Sequence, residues 1–260
     1  MQMAILDTVQ LHWREDGTAE GPPVVFANSL GTDLRLWDKV IPLLPQRFRL
    51  IRFDKRGHGL SSCPKAPYTM DNLVADTEAL LDHIGVNTCI FIGLSIGGMI
   101  GQALAARRPD LIKALVLSNT AAKMGDASIW QDRVSAIRTA GIESVADPIL
   151  DRWFGPSFRQ SDEVTAWQSM LTRTPVEGYI GCCEAIACTD LSQTTATLRL
   201  PVLGIAGRDD GASPPELVRN TIDLIPGARF QVIEGAGHLP CVEKPEEFAE
   251  HLASFLKETC

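Results

Sequence analysis

Short apolar runs recur along the chain, separated by segments in which apolar residues return every three or four positions. Val24-Val25-Phe26-Ala27-Asn28, Leu50-Ile51-Arg52-Phe53-Asp54 and Cys89-Ile90-Phe91-Ile92-Gly93 each read as a strand. So do Ala114-Leu115-Val116-Leu117-Ser118, Val202-Leu203-Gly204-Ile205-Ala206 and Phe230-Gln231-Val232-Ile233-Glu234. Most of these runs are near-continuously apolar, the pattern of strands covered on both faces and hence of a parallel sheet. Residues 4–8 and 10–14 precede them as two further strands, close enough to form a hairpin. Between strands, residues 71–84 set Leu73, Val74, Thr77, Leu80, Leu81 and Ile84 at helical spacing, with Gly85 as a stop. Residues 245–256 read as a final helix, Pro245 suiting its first turn. The alternation predicts an α/β fold: a mostly parallel eight-stranded sheet flanked by helices.

One stretch breaks the rhythm. From about residue 123 to residue 192 no strand pattern occurs, and helical patterns carry three of the five tryptophans, Trp130, Trp153 and Trp167. This predicts a helical cap, residues 123–192, inserted into a core made of residues 1–122 and 193–260 and lying over the edge of the sheet that carries the site.

Composition narrows the partners. The chain has 24 Lys+Arg against 32 Asp+Glu, a formal net charge of −8. That balance argues against a nucleic-acid partner, which needs a basic footprint. No apolar segment approaches the ~18 residues of a membrane-spanning helix, so no membrane association is expected. The N-terminus lacks a basic stretch followed by an apolar run, which points to a cytoplasmic protein. The cysteines at 63, 89, 182, 183, 188, 241 and 260 are odd in number and scattered. No C-x-x-C pair suggests a metal or a redox dithiol, and reduced thiols are expected.

The chemistry concentrates at Gly93-Leu94-Ser95-Ile96-Gly97, a G-x-S-x-G that follows a strand and precedes a helical run rich in small residues. That context is what a nucleophile elbow requires: a sharp, strained turn presents the serine hydroxyl above the sheet at a helix N-terminus. A serine hydroxyl needs a base to take its proton. His238, in Gly235-Ala236-Gly237-His238 just after the last strand, is the candidate. His58 in Arg56-Gly57-His58-Gly59 is the rival, although the glycines on both sides suggest a backbone-turn role. The base in turn needs an acid, and Asp209-Asp210 offers two adjacent carboxylates after a strand. Nothing in the residues themselves separates the two. Backbone N–H groups of Ile96, just past the nucleophile, and of Leu30, in the loop Asn28-Ser29-Leu30-Gly31, are the expected oxyanion donors.

The motifs Asn28-Ser29-Leu30-Gly31-Thr32-Asp33, Asp54-Lys55-Arg56-Gly57-His58-Gly59, Gly93-Leu94-Ser95-Ile96-Gly97-Gly98 and Gly235-Ala236-Gly237-His238 resemble the α/β-hydrolase superfamily. Asn28-Ser29 stands where lipases and esterases often have His-Gly. Two segments are narrower in reach: Asp151-Arg152-Trp153-Phe154 and the run from Thr174 to Ile186 resemble the 3-oxoadipate enol-lactonases of aromatic-acid catabolism. The resemblance covers nearly the whole chain. It implies an α/β-hydrolase fold and a Ser95–His238–Asp210 triad, Asp210 matching the acid in a G-x-x-D pattern that begins at Gly207. It also implies Trp130 and Arg133 as substrate contacts, with no metal and no organic cofactor. The expected substrate is a small lactone or ester that bears a carboxylate, opened to 3-oxoadipate in the β-ketoadipate pathway. A broader carboxylesterase or a cofactor-free perhydrolase shares the triad. A haloalkane dehalogenase would need a carboxylate where Ser95 stands. A non-catalytic ligand receptor on the same fold is the binding-module alternative, and a fluorophosphonate probe discriminates it.

Ser95→Ala is expected to lower ester hydrolysis by several orders of magnitude while leaving the fold intact, because a triad acts as a unit and only one hydroxyl is removed. Steady-state kinetics beside a thermal melt check this; near-wild-type turnover would overturn the assignment of the nucleophile.

Overall fold

The computed structural model describes residues 1–259; Cys260 lies outside the described residues. Eight strands form one sheet: β1 (Gln2–Ile5), β2 (Gln10–Gly17), β3 (Pro23–Ala27), β4 (Arg49–Phe53), β5 (Cys89–Leu94), β6 (Ile112–Ser118), β7 (Val202–Gly207) and β8 (Arg229–Ile233). Their spatial order is β1-β2-β4-β3-β5-β6-β7-β8. Only the β1–β2 and β2–β4 pairs are antiparallel; every pair from β4 to β8 is parallel. The central strands β5 and β7 are buried along their full length, as the unbroken apolar runs require. Edge strand β8 instead exposes Arg229 and Gln231 and buries Ile233.

The first two strands depart from the expected boundaries. β1 ends at Ile5, because the Leu6 N–H turns back to the Val9 carbonyl and closes the hairpin. β2 extends to Gly17, since Arg14 to Gly17 find partners in Arg52 to Arg49 of β4. Pairing across the sheet, rather than local propensity, sets both limits.

Helices α1 (Met70–His83), α2 (Ile96–Arg107), α8 (Pro215–Ile222), α9 (Pro240–Glu243) and α10 (Pro245–Thr259) accompany the sheet. Helix α1 starts in a reciprocal capping box between Thr69 and Asn72 and buries Leu73, Val74, Thr77, Leu80 and Leu81. Between β6 and β7 lie only helices: α3 (Ala127–Ala140), α4 (Ala146–Trp153), α5 (Val164–Thr172), α6 (Val176–Ala187), α7 (Ser192–Thr195) and two short 3₁₀ turns.

Five loops leave the carboxyl ends of the adjacent strands β3, β5, β6, β7 and β8, where ligand crevices of open α/β sheets lie. The β5–α2 connection is the tightest. Ser95 has φ 60° and ψ −122°, a region that side-chain-bearing residues seldom occupy. Its neighbours must be small for the turn to close: a Cβ on Gly93 would strike the Gly97 carbonyl, and one on Gly97 would strike the Ala27 carbonyl of β3. Gly97→Ala should therefore destabilise by about 1–3 kcal/mol, the usual penalty of overpacking. At about 2–4 °C per kcal/mol for a chain of this size, the shift is readily measured in a thermal melt; an unchanged melting temperature would show that β3 can give way.

Candidate active site

The loop after β7 carries Asp209 and Asp210, and its backbone turns them in opposite directions. Asp210 is buried, whereas Asp209 is exposed. Asp210 Oδ1 accepts the N–H groups of Ala212 (2.7 Å) and Ser213 (2.9 Å). Its Oδ2 lies 2.9 Å from His238 Nδ1 and accepts Asn119 Nδ2 at 2.8 Å. Burial pushes the Asp210 carboxyl up. The charge of His238, with hydrogen bonds from His238, Asn119 and the Ser213 N–H, outweighs burial and holds it below the usual carboxylate range. An ionised Asp210 facing Nδ1 favours the tautomer that carries its proton there, in which Nε2 is the acceptor. The Ser213 hydroxyl completes this cluster, 2.7 Å from the Asn119 carbonyl and 3.2 Å from His238 Nδ1.

His238 sits in the loop after β8 and is almost fully buried. Two of that loop's N–H groups are held, and a third bond anchors the Glu243 side chain that holds one of them. The His238 N–H donates to the Trp153 carbonyl at 2.7 Å, the Gly237 N–H to Glu243 Oε1 at 2.7 Å, and the Gly155 N–H to Glu243 Oε2 at 2.9 Å. Burial raises the Glu243 carboxyl to about 7, against the two N–H groups that favour its charged form.

Ser95 follows β5 directly. Its N–H donates to the Ser118 carbonyl, and its carbonyl accepts the Thr120 hydroxyl at 2.6 Å. Ser95 and His238 line the same pocket of about 240 Å³. The hydroxyl hydrogen-bonded to His238 Nε2 is that of Ser29, at 3.5 Å, rather than that of Ser95. Catalytic hydrogen bonds in ligand-free sites are often long and tighten on binding. Leu30 borders the pocket, and Ile96 begins α2 next to Ser95. Among the described residues neither the Leu30 N–H nor the Ile96 N–H donates to another protein group, so both remain available to an oxyanion.

His58, the rival histidine, has a different task. Its Nδ1 faces the Arg56 carbonyl at 3.2 Å, and its Nε2 accepts the Gly31 N–H at 3.0 Å. It buttresses the loop that carries Leu30. Burial, and then the charge of Lys55, hold the ring well below the ordinary imidazole range, so it stays neutral and keeps that acceptor. Lys55 Nζ donates to the Ser29 carbonyl at 2.6 Å from the same side, and burial lowers its ammonium to about 8. The flanking Gly57 and Gly59 have φ of 71° and 53°, the turn conformation their positions suggest.

Trp130 and Arg133 lie on α3 and both reach the pocket. Their i, i+3 spacing places the Arg133 guanidinium over the Trp130 ring, 4.6 Å from its centroid. The Trp130 indole N–H is spent on the Met124 carbonyl at 2.6 Å, so the ring offers the pocket an apolar face. Asn119, Ser213, Glu243, Lys55 and Arg152 are not legible in the sequence as site residues. Only Lys55 and Arg152 stand within distinctive motifs, Asp54-Lys55-Arg56-Gly57-His58-Gly59 and Asp151-Arg152-Trp153-Phe154.

The arrangement can deprotonate a hydroxyl at Nε2, stabilise the resulting imidazolium through Asp210, and hold an oxyanion on two N–H groups. Asp210→Asn is expected to reduce turnover by up to about 10⁴-fold, the loss seen when such a histidine is held in the wrong tautomer. Asp209→Asn should stay near wild type. Paired kinetics decide, and the reverse ranking would transfer the role to Asp209.

Comparison with known proteins agrees with the fold. The family described as alpha/beta hydrolase fold matches residues 22–245. The 3-oxoadipate enol-lactonase 2 of Acinetobacter baylyi is 36% identical over 251 residues, covering 96% of this chain and 94% of that protein. The crystal structure of the enol-lactonase from Burkholderia xenovorans LB400 superposes with a TM-score of 0.95 at 36% identity, covering 98% of this chain and 100% of that one. A thermophilic esterase from Thermogutta terrifontis superposes with a TM-score of 0.92 at 28% identity, covering 100% and 99%.

Proposed function

The chain belongs to the α/β-hydrolase family, and from that premise we propose that it is an ester hydrolase that opens 3-oxoadipate enol-lactone to 3-oxoadipate. The observation that carries this reading is the meeting of Ser95, His238 and Arg133 in one small pocket walled by Leu30, Met124, Ile129, Trp130 and Trp153. At about 240 Å³ the pocket lies below the roughly 300–1,000 Å³ of sites for drug-sized ligands, which suits a monocyclic lactone better than a long acyl chain. Two enol-lactonases of Acinetobacter baylyi, 36% and 30% identical over more than nine-tenths of this chain, support the same substrate.

In the proposed mechanism, Ser95 Oγ attacks the lactone carbonyl as His238 Nε2 takes its proton. The tetrahedral oxyanion rests on the Leu30 and Ile96 N–H groups. Collapse breaks the ring C–O bond, His238 returns the proton to the departing enol oxygen, and the open chain stays esterified to Ser95. An enol leaves more readily than an alkoxide, so little acid assistance is needed. Water then attacks the acyl-serine with His238 again as base, and the released enol tautomerises to the ketone. Asp210 keeps the imidazole in the tautomer that both half-reactions need. The helices between β6 and β7 act in this reading as a cap: α3 brings Trp130 and Arg133 over the pocket, and Arg133 pairs with the free carboxylate of the lactone.

A charge-assisted pair of this kind contributes roughly 1.5–3 kcal/mol, or about ten- to a hundredfold. Arg133→Ala should impair hydrolysis of the enol-lactone by about that factor while affecting a neutral aryl ester of similar size far less. Arg133→Lys should recover only part of the loss, because an ammonium lacks the planar fork. Ring-opening assays run beside aryl-ester assays provide the check. Equal losses on the two substrates would reduce Arg133 to a support for the cap. Equal turnover of both substrates by the unmodified enzyme would favour a broader carboxylesterase.

A further inference from the structure

Arg133 is not the only cation at the pocket. Arg152, at the end of α4, lines it as well, and among the residues that line it there is no aspartate or glutamate. Among the described residues neither guanidinium forms an ion pair with a carboxylate. This is unusual company for a half-buried arginine: the chain carries 32 acidic residues, and most of its other arginines sit on one. Arg152 Nε is committed to the Pro148 carbonyl at 3.2 Å, which leaves the terminal nitrogens for a ligand.

The backbone at Arg152 is anchored on the site loops. Its own carbonyl accepts the Gly211 N–H at 3.1 Å, in the loop just past Asp210, and the next carbonyl, of Trp153, accepts the His238 N–H at 2.7 Å. The backbone at Arg152 is therefore tied to both loops that bear the acid and the base. Arg133 approaches from α3, its guanidinium over the Trp130 ring. The two cations feel each other: burial first, and then the charge of Arg133, hold the Arg152 guanidinium below its usual range. A pocket of about 240 Å³ that confines two like charges with no counter-charge is built to receive negative charge from its ligand.

We propose that Arg133 and Arg152 together form a two-guanidinium clamp for dicarboxylic acids, and that the enzyme accordingly also hydrolyses acyclic half-esters of short dicarboxylic acids. This deepens the reading of the site as an ester hydrolase and rests on it. The chemistry accounts for a second cation. A half-ester enters with one carboxylate. Ser95 Oγ bonds to the ester carbonyl, the alkoxy group leaves as the alcohol with the proton relayed by His238, and water cleaves the acyl-serine. The new carboxyl group ionises to a second carboxylate, with its proton passing to solvent. The occupant changes from one negative charge to two within the same walls, and two guanidiniums match the later state as well as the earlier.

The test compares kcat/KM for monomethyl adipate with that for methyl hexanoate, a neutral ester of the same reach, both read as acid release at constant pH. The unmodified enzyme should prefer the half-ester. Arg152→Ala should shrink the charged-to-neutral ratio by about ten- to a hundredfold, and Arg152→Lys should restore part of it. Inhibition by adipate should exceed inhibition by valerate, and that difference should shrink in Arg152→Ala. Retained hydrolysis of methyl hexanoate shows that the variant is folded; if it is lost, the adipate and valerate comparison by ligand-dependent thermal shift decides instead. An unchanged ratio in Arg152→Ala, or adipate binding no tighter than valerate, would overturn the clamp. So would an unmodified enzyme that shows no preference for the half-ester. Failure of the underlying reading is separate: it requires that Ser95→Ala still hydrolyse the neutral ester.

Discussion

Ser95 is held at φ 60°, ψ −122°, a conformation that costs on the order of 1–3 kcal/mol and persists only where the surroundings over-determine it. Here three adjacent strands do so. Ser118 on β6 accepts its N–H, Thr120 just beyond β6 donates to its carbonyl, and Ala27 on β3 leaves room only for a glycine at position 97. The order β3-β5-β6 in the sheet is therefore a condition for the turn. The turn points the serine side chain into the pocket and frees the Ile96 N–H at the first position of α2, where a helix has no internal partner for it. Asp210 and His238 arrive in the loops after β7 and β8, the next strands along, so one topological neighbourhood gathers these residues.

Electrostatically the site is the inverse of the molecule. The chain carries a net charge of −8, yet its small pocket is lined by two guanidiniums and no carboxylate. The buried carboxylate of Asp210 pairs with His238 Nδ1 and does not itself line the pocket. A local field can oppose the global one at this scale, because nearby charges in a partly desolvated cleft outweigh distant ones screened by salt.

What could be read from the sequence was what depends on short range. The strands, α1 and the serine elbow are patterns within a dozen residues, and all of them lie close to where the periodicity places them. The limits of β1 and β2 escape such a reading because pairing partners, not propensities, define them. Asp209 and Asp210 are indistinguishable in sequence because the choice turns on which side of one loop faces a histidine 28 residues later. Asn119 and Glu243 carry no mark at all: Asn119 meets Asp210 across 91 positions and Glu243 joins Gly237 to Gly155, 88 positions away, and ordinary polar residues gain meaning only from that proximity. The glycines beside His58 signal its turn, but not that its ring accepts the Gly31 N–H across 27 positions.

The bond from the His238 N–H to the Trp153 carbonyl also bears on how the protein folds and how it could have been assembled. A sheet shorn of the residues between β6 and β7 would keep Ser95 and Asp210 but take away the carbonyl partners of the exposed Gly211 and the buried His238 N–H groups. A donor left buried and unpaired at His238 costs about 1–3 kcal/mol, a large share of the stability of a typical domain. These two bonds tie the helices between β6 and β7 to the loops after β7 and β8. Excision of that segment removes both acceptors, so a minimal version calls for a replacement strand or loop that returns those two carbonyls. Exchange of the helical segment between relatives meets the same demand, since the donor must carry its equivalent of residues 152 and 153 in register with the recipient's loops.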